Sequence, residues 1–290
     1  MIRKWWKPII IMFIAILNFF PSLVRANDVI YSNQVTVLVY HHIDDEMQGG
    51  VTISTKLFID QLNSLQRKGY HFISLDQFKQ FMAKGSKQGS IPDNAILITF
   101  DDGYRSFYTN AFPVLKRMNI PAVNFVITKD LNDPMGSPIP SLSPDEIVQM
   151  RKEFPSIDFQ GHSDSLHAMS DGKPLLTNKI IKDGVMESDE QFKARIVADT
   201  KNCMRKLHDL NGSQTVDAYA YPFGSFDNQT MELLNQTGIQ YGFTTKAGIV
   251  SKQTDPMQIP RINAGSPYVK AHSINNLIKQ ALRHQLQPIN

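Results

Sequence analysis

The chain has 290 residues, 42% of them hydrophobic, with 30 Lys+Arg against 27 Asp+Glu and one cysteine. That apolar content supports a sizeable core and excludes wholesale disorder, and one cysteine excludes an intrachain disulfide, a cysteine-rich zinc module and an iron–sulfur cluster. The formal charge of +3 misleads, because Arg3, Lys4, Lys7 and Arg25 all lie in the first 26 residues and the remainder carries 26 basic against 27 acidic side chains; the basic footprint of a nucleic-acid binder is missing.

Met1 to Ala26 reads as a secretory signal: a basic start, an apolar run from Pro8 to Phe20 broken by Asn18, and Val24-Arg25-Ala26 at the usual cleavage positions. The run is shorter than the roughly 20 residues that cross a bilayer comfortably. The competing reading is an uncleaved anchor helix. Either way the folded part, residues 27–290, is expected outside the cytoplasm, secreted or associated with the cell surface or wall. Cys203 is expected to be a small buried apolar residue on a helix.

Short β-branched runs predict buried strands at Val35–Tyr40, Ala95–Phe100, Ala122–Ile127, Ile157–Gln160, Asp217–Tyr221 and Gln240–Thr244. Between them, helical patterns occupy Thr55–Lys68, Leu75–Lys84, Ser106–Met118, Pro144–Phe154, Asp189–Leu210 and Asn228–Thr237, and Ile274, Leu277, Ile278, Ala281 and Leu282 give one face to a closing helix. This alternation predicts an α/β domain with a mainly parallel sheet, barrel-like or doubly wound. No repeat or linker divides it. Two long stretches, Asn132–Ser143 and the polar Ser163–Glu187, are expected to be loops near the functional site.

Four polar clusters each follow a predicted strand. The first is Val39-Tyr40-His41-His42. His41 shares a strand face with Val35, Val37 and Val39, and His42 shares the opposite face with Leu38 and Tyr40, so only one of the two faces the common mouth of the strands. The second is Thr99-Phe100-Asp101-Asp102-Gly103-Tyr104. Adjacent buried carboxylates need a compensating cation or a shared proton, and both serve one site only if the chain turns there, as Gly103 permits. A simple helix-capping turn explains the same residues about as well. The third, Gly161-His162-Ser163-Asp164-Ser165-Leu166-His167, places two imidazoles five residues apart. On a helix they would diverge by about 140°, so they converge on a metal only from a loop or distorted turn. The fourth, Ala218-Tyr219-Ala220-Tyr221-Pro222-Phe223-Gly224, offers aromatics on which a sugar ring could stack, although an aromatic strand is more often core. Gathered at one mouth, these residues form a kit for metal-assisted hydrolysis.

The Thr-Phe-Asp-Asp-Gly-Tyr string, the spaced histidines and Tyr221-Pro222-Phe223-Gly224 resemble the motifs of the polysaccharide deacetylase family, carbohydrate esterase family 4, over nearly all of the chain after the signal. The resemblance implies a distorted (β/α) barrel in a single domain. It implies that Asp102, His162 and His167 hold a divalent cation, usually Zn2+. Asp101 would be the general base and His41 the general acid, with His42 the less favoured candidate. The Phe223 amide would help to hold the oxyanion, with Tyr221 beside it toward the substrate. The five-residue histidine spacing and Tyr40-His41-His42 resemble the branch of the family acting on an exopolysaccharide, poly-β-1,6-N-acetylglucosamine, which would be this chain's partner at the cell surface.

Three features depart from the family pattern. The commoner histidine spacing is four. Ala220 stands where an arginine usually tethers the catalytic aspartate, so a less firmly oriented base is expected. Both tryptophans, Trp5 and Trp6, lie in the signal, so the family's tryptophan motif has no counterpart. The same chemistry on peptidoglycan, chitin or acetylated xylan, and a sugar-binding surface protein without catalysis, are the competing readings.

Overall fold

The structure is a computed structural model that describes residues 29–286, apart from 48, 84 and 86–90. The signal-like segment 1–26 lies outside the described residues. Among those described, no helix is long and apolar enough to cross a membrane.

Eight strands make the main sheet: β1 (Val35–Tyr40), β2 (His71–Phe72), β3 (Ala95–Phe100), β4 (Ala122–Ile127), β5 (Ile157–Ser163), β6 (Ala218–Ala220), β7 (Tyr241–Phe243) and β8 (Ile262–Asn263). All pair in parallel, in the order β7-β6-β5-β4-β3-β1-β8, with β2 added beside the start of β3. The two edges approach each other through the segment before β8. There Ile259 bridges Phe243 of β7, and Ile262 then pairs with Leu38 of β1. The sheet therefore curls into a distorted barrel.

The strands are buried on both faces because helices cover the outside and side chains fill the inside. Val35, Val37, Leu97, Val123, Phe125 and Ala220 belong to the inner core, whereas Leu38, Tyr40, Ile96, Ile98 and Phe100 pack outward. The helices are α1 (Thr55–Arg67), α2 (Leu75–Met82), α3 (Phe112–Met118), α4 (Pro144–Glu153), α5 (Asp189–Leu210), α6 (Asn228–Gln236) and α7 (Ile274–Leu286). Reciprocal caps fix where four of them start: Ser74 with Gln77, Ser143 with Glu146, Ser188 with Gln191 and Asp227 with Thr230. α2 presents Leu75, Phe78 and Phe81 to the inner core, where Phe78 lies 5.8 Å from Phe243, and so plugs the barrel at the amino ends of the strands.

Several elements differ from the sequence expectation for identifiable reasons. The helix expected from Ser106 opens as a π-helical turn, Phe107–Ala111, before α3; Pro113 has no N–H for the regular bond to Thr109. The stretch expected to be a polar loop folds into two hairpins, Met169–Ser170 with Lys173–Pro174 and Ile181–Lys182 with Val185–Met186. They turn at Asp171-Gly172 and Asp183-Gly184, all four at positive φ, the backbone that Asp-Gly favours in tight hairpins. β5 runs three residues beyond its expected end at Gln160.

Candidate active site

The strands all point their carboxyl ends at one mouth, and β3 supplies its first acidic groups. Asp101 keeps the strand's path, its N–H donating to the Tyr40 carbonyl at 3.0 Å. The chain then turns in left-handed backbone at both Asp102 (φ 74°) and Gly103 (φ 72°), which brings the two neighbouring carboxylates to the same space. A Cβ on Gly103 would sit 3.0 Å from Val126 Cγ1, so glycine is required by space as well as conformation.

β5 delivers the first imidazole through an irregularity. Val126 pairs with Gly161 and Ile127 with Ser163, leaving His162 as the extra residue of a bulge, and Ser163 follows at φ 133°. A bulge re-aims a side chain. His162 Nδ1 bonds the Ala220 carbonyl at 2.7 Å, which fixes the ring and turns Nε2 to Asp102. His167 returns from the loop to the same oxygen. Asp102 Oδ1 is 3.3 Å from His162 Nε2 and 3.4 Å from His167 Nε2, and one ligand atom from each of the three residues falls within 4.8 Å of the others.

Burial opposes charge on all three groups, and their contacts with one another decide the direction in which each is shifted. Burial opposes charge on Asp102, but the hydrogen bond and charge of His162, followed by His41 and His167, hold its carboxyl well below the usual range. Burial likewise opposes charge on His162, yet Asp102 and Asp101 push it up. Burial and then the charge on His162 push His167 down to about 4. A buried carboxylate with two imidazoles, His162 buried and locked by the carbonyl behind it and His167 partly exposed, forms a donor set that fits a divalent cation with open positions.

Asp101 is held differently. Arg261, just before β8 and 1% exposed, grips it bidentately, Nη1 donating to Oδ1 and Nη2 to Oδ2, each at 2.7 Å. Arg261 Nε donates to the Thr244 carbonyl at 2.8 Å, and Nη1 to Thr99 Oγ1 at 3.4 Å. Burial would raise the Asp101 carboxyl, but the charge and hydrogen bonds of Arg261, then His162 and His41, hold it below its usual value. The expectation of a loosely oriented base, drawn from Ala220, is corrected: the arginine comes from another segment, the residue before β8. The strand that follows it has only two residues and lacks the alternation that reveals a strand in sequence. The available signal was a lone arginine among Ile259, Ile262 and Ala264, which a core tolerates only with a partner.

The histidine pair divides as period-two alternation requires. His41 Nε2 lies 3.9 Å from Asp101 Oδ2, with its side chain 20% exposed. His42 is buried on the other face, its ring edge-on to Tyr104 at 5.2 Å, and burial pushes its imidazole toward the neutral form. The structure therefore does not bring His42 to the acidic pair.

The aromatic cluster also divides. Tyr221, expected to face the substrate, is 1% exposed; its hydroxyl donates to the Met257 carbonyl at 2.8 Å and its ring stacks on Phe226. That expectation is corrected, because a ring packed on its face and bonded at its tip presents nothing to a sugar. Phe223 is 44% exposed, at φ 57°, its ring 4.3 Å from that of His167. A cavity of about 310 Å³ opens beside Asp102 and His167, with Tyr104, Lys129, Asp130 and Ser141 among its walls.

Comparison with known proteins agrees with this geometry. The polysaccharide deacetylase family model matches residues 88–242, more than half of the chain. A poly-β-1,6-N-acetyl-D-glucosamine N-deacetylase of Staphylococcus epidermidis is 28% identical over 211 residues, covering 73% of this chain and 67% of the relative. The deacetylase domain of BpsB from Bordetella bronchiseptica is 26% identical, with a TM-score of 0.68 over 79% of this chain and 95% of that one. A de-N-acetylase from Aggregatibacter actinomycetemcomitans shares the fold, with a TM-score of 0.71 at 22% identity over 84% of this chain and 100% of that one. The chain belongs to the polysaccharide deacetylase family and is a hydrolytic deacetylase.

Proposed function

We propose that this chain is an exported, metal-dependent N-deacetylase of poly-β-1,6-N-acetylglucosamine, releasing acetate and leaving free amines on the polymer. The observation that carries it is the meeting of Asp102, His162 and His167 beside an arginine-gripped Asp101 with His41 at hand. The polymer is the one named for the staphylococcal relative. The basic and then apolar opening of the chain supports export, to the cell surface or wall.

Asp102 Oδ1, His162 Nε2 and His167 Nε2 would hold the cation, Zn2+ by donor type, which when bound supplies Lewis-acid polarisation of the acetamide carbonyl and a lowered pKa for water. Asp101, kept anionic by Arg261, takes a proton from the attacking water. As negative charge develops on the carbonyl oxygen, the Phe223 amide donates to it. His41 Nε2, on the other side of Asp101, gives a proton to the departing nitrogen, a task that suits imidazole because its two protonation states are close in energy near neutrality. The Phe223 ring lies against that of His167, at 4.3 Å.

The test is acetate release from defined glucosamine oligomers by the purified protein, with and without a chelator. Release from β-1,6-linked N-acetylated oligomers that stops on chelation and returns with Zn2+ is expected. Equal or faster release from β-1,4-linked oligomers would shift the assignment to a chitin or peptidoglycan substrate. Release unaffected by chelation would end the metal reading.

A further inference from the structure

His162 and His167 are positioned by different means. His162 lies in the sheet and is locked by the Ala220 carbonyl. His167 is set between the rings of His162, at 4.8 Å, and Phe223, at 4.3 Å, so its place depends on the backbone between the two histidines. That backbone is not helical, as the five-residue spacing already required. It is fixed instead by α5.

Gly161 allows the close approach: a Cβ there would lie 3.2 Å from Cys203 Sγ. Asp199, Asn202 and Lys206 stand on the same side of α5 as Cys203, at helical spacing. Asp199 Oδ1 accepts the Asp164 N–H at 2.9 Å and Oδ2 accepts the Ser165 N–H at 2.6 Å. The Asp164 carboxylate accepts from Lys206 Nζ, Asn202 Nδ2 and Thr128 Oγ1 at 2.8, 2.8 and 2.7 Å. Its carbonyl accepts the Lys129 N–H at 3.2 Å. Both backbone polar groups and the side chain of Asp164 are thus held, and Asp199 is the group on α5 that spans two consecutive peptides.

We propose that Asp199 is a positioning residue for His167, clamping the chain between the two imidazoles so that the loop spacing presents a preformed cation site. The proposal rests on the reading of Asp102, His162 and His167 as that site. Without the clamp, the Asp164 and Ser165 N–H groups need new acceptors, and the loop gains conformations in which His167 Nε2 points away from Asp102. The cost then falls on cation affinity beyond any loss of fold stability.

The experiment titrates Zn2+ alone into the purified protein, without substrate, in competition with a chromophoric chelator, and records thermal unfolding of the metal-free protein in parallel. Asp199→Ala is expected to bind Zn2+ roughly 10-fold or more weaker than the parent, the scale of supporting-residue effects at metal sites. Asp199→Glu should recover part of the loss. Ile278→Ala, in the core at α7, should lower the unfolding temperature and leave Zn2+ affinity unchanged. Affinity of Asp199→Ala within roughly twofold of the parent, or an equal loss in Ile278→Ala, overturns the proposal. A parent that binds no Zn2+ overturns the metal reading beneath it. If Asp199→Ala does not fold, Asn202→Ala more gently loosens Asp164, the residue that Asp199 clamps, and unchanged Zn2+ affinity there overturns the clamp.

Discussion

The two ends of the barrel both turn the chain through left-handed backbone, but with different residues. At the end plugged by α2, residues at positive φ before the strands include Asn33, Asn94 and Asn119, and asparagine tolerates left-handed backbone at small cost. At the mouth the corresponding residues are Asp102, Ser163 and Phe223, and serine and phenylalanine are poor choices for it. The plugged end is filled by Phe78, Phe81, Phe125 and Phe243, while the mouth buries Asp101, Asp102, His162 and Arg261. Strain and buried charge are concentrated at the mouth that carries the candidate site, and the apolar end supplies the stability that tolerates them.

The comparison breaks most readily at its most charged point. Asp101→Asn should lower kcat for acetate release by about 10³-fold with the protein still folded, the loss of a general base; kinetics on β-1,6 oligomers with a circular-dichroism control would show it, and an activity within tenfold of the parent would remove Asp101 from the mechanism. At the opposite end, Phe78→Ala should cost about 3–5 kcal/mol of unfolding free energy, read by denaturant titration, while kcat per folded molecule stays at the parental value.

Arg261→Met sharpens the contrast between held and merely buried charge. Asp101 would stay buried without its cation, so its carboxyl rises and the acidic limb of the pH–rate profile moves to higher pH, with kcat at neutral pH falling roughly 10- to 100-fold. The sign of the stability effect follows from the depressed Asp101 carboxyl. The stabilisation is complete above the ordinary aspartate range and is lost as pH falls through the depressed value. Acid titration of unfolding in parent and variant should therefore converge at low pH and diverge toward neutrality.

The smallest expected effect concerns strain. Phe223→Gly should raise stability by up to about 1 kcal/mol by relieving the left-handed backbone, offset by lost packing on His167, while acetate release falls several-fold. Thermal unfolding and kinetics measured together check it; a variant less stable and fully active would show that the φ of Phe223 has no link to the chemistry.

Much of the fold was legible because its signals are local. Apolar runs marked six of the eight strands, and apolar residues at three- and four-residue steps marked the helices between them. The site was legible where one stretch of chain carried it: alternation along β1 separated His41 from His42, and adjacency of Asp101 and Asp102 required a turn. Tyr221 was misread because Tyr221-Pro222-Phe223 shows aromatic character but not which ring the turn buries.

By itself, the order of side chains determined an α/β barrel-type core, a mouth lined with carboxylates and imidazoles, and the family to which they belong, since each depends on residues near one another along the chain. Only the tertiary structure decided that Arg261 reaches Asp101 across 160 positions, that a bulge aims His162, and that α5 fastens the loop carrying His167. Contacts between distant segments depend on how the sheet curls and how closely helices approach it, and no local pattern encodes that distance.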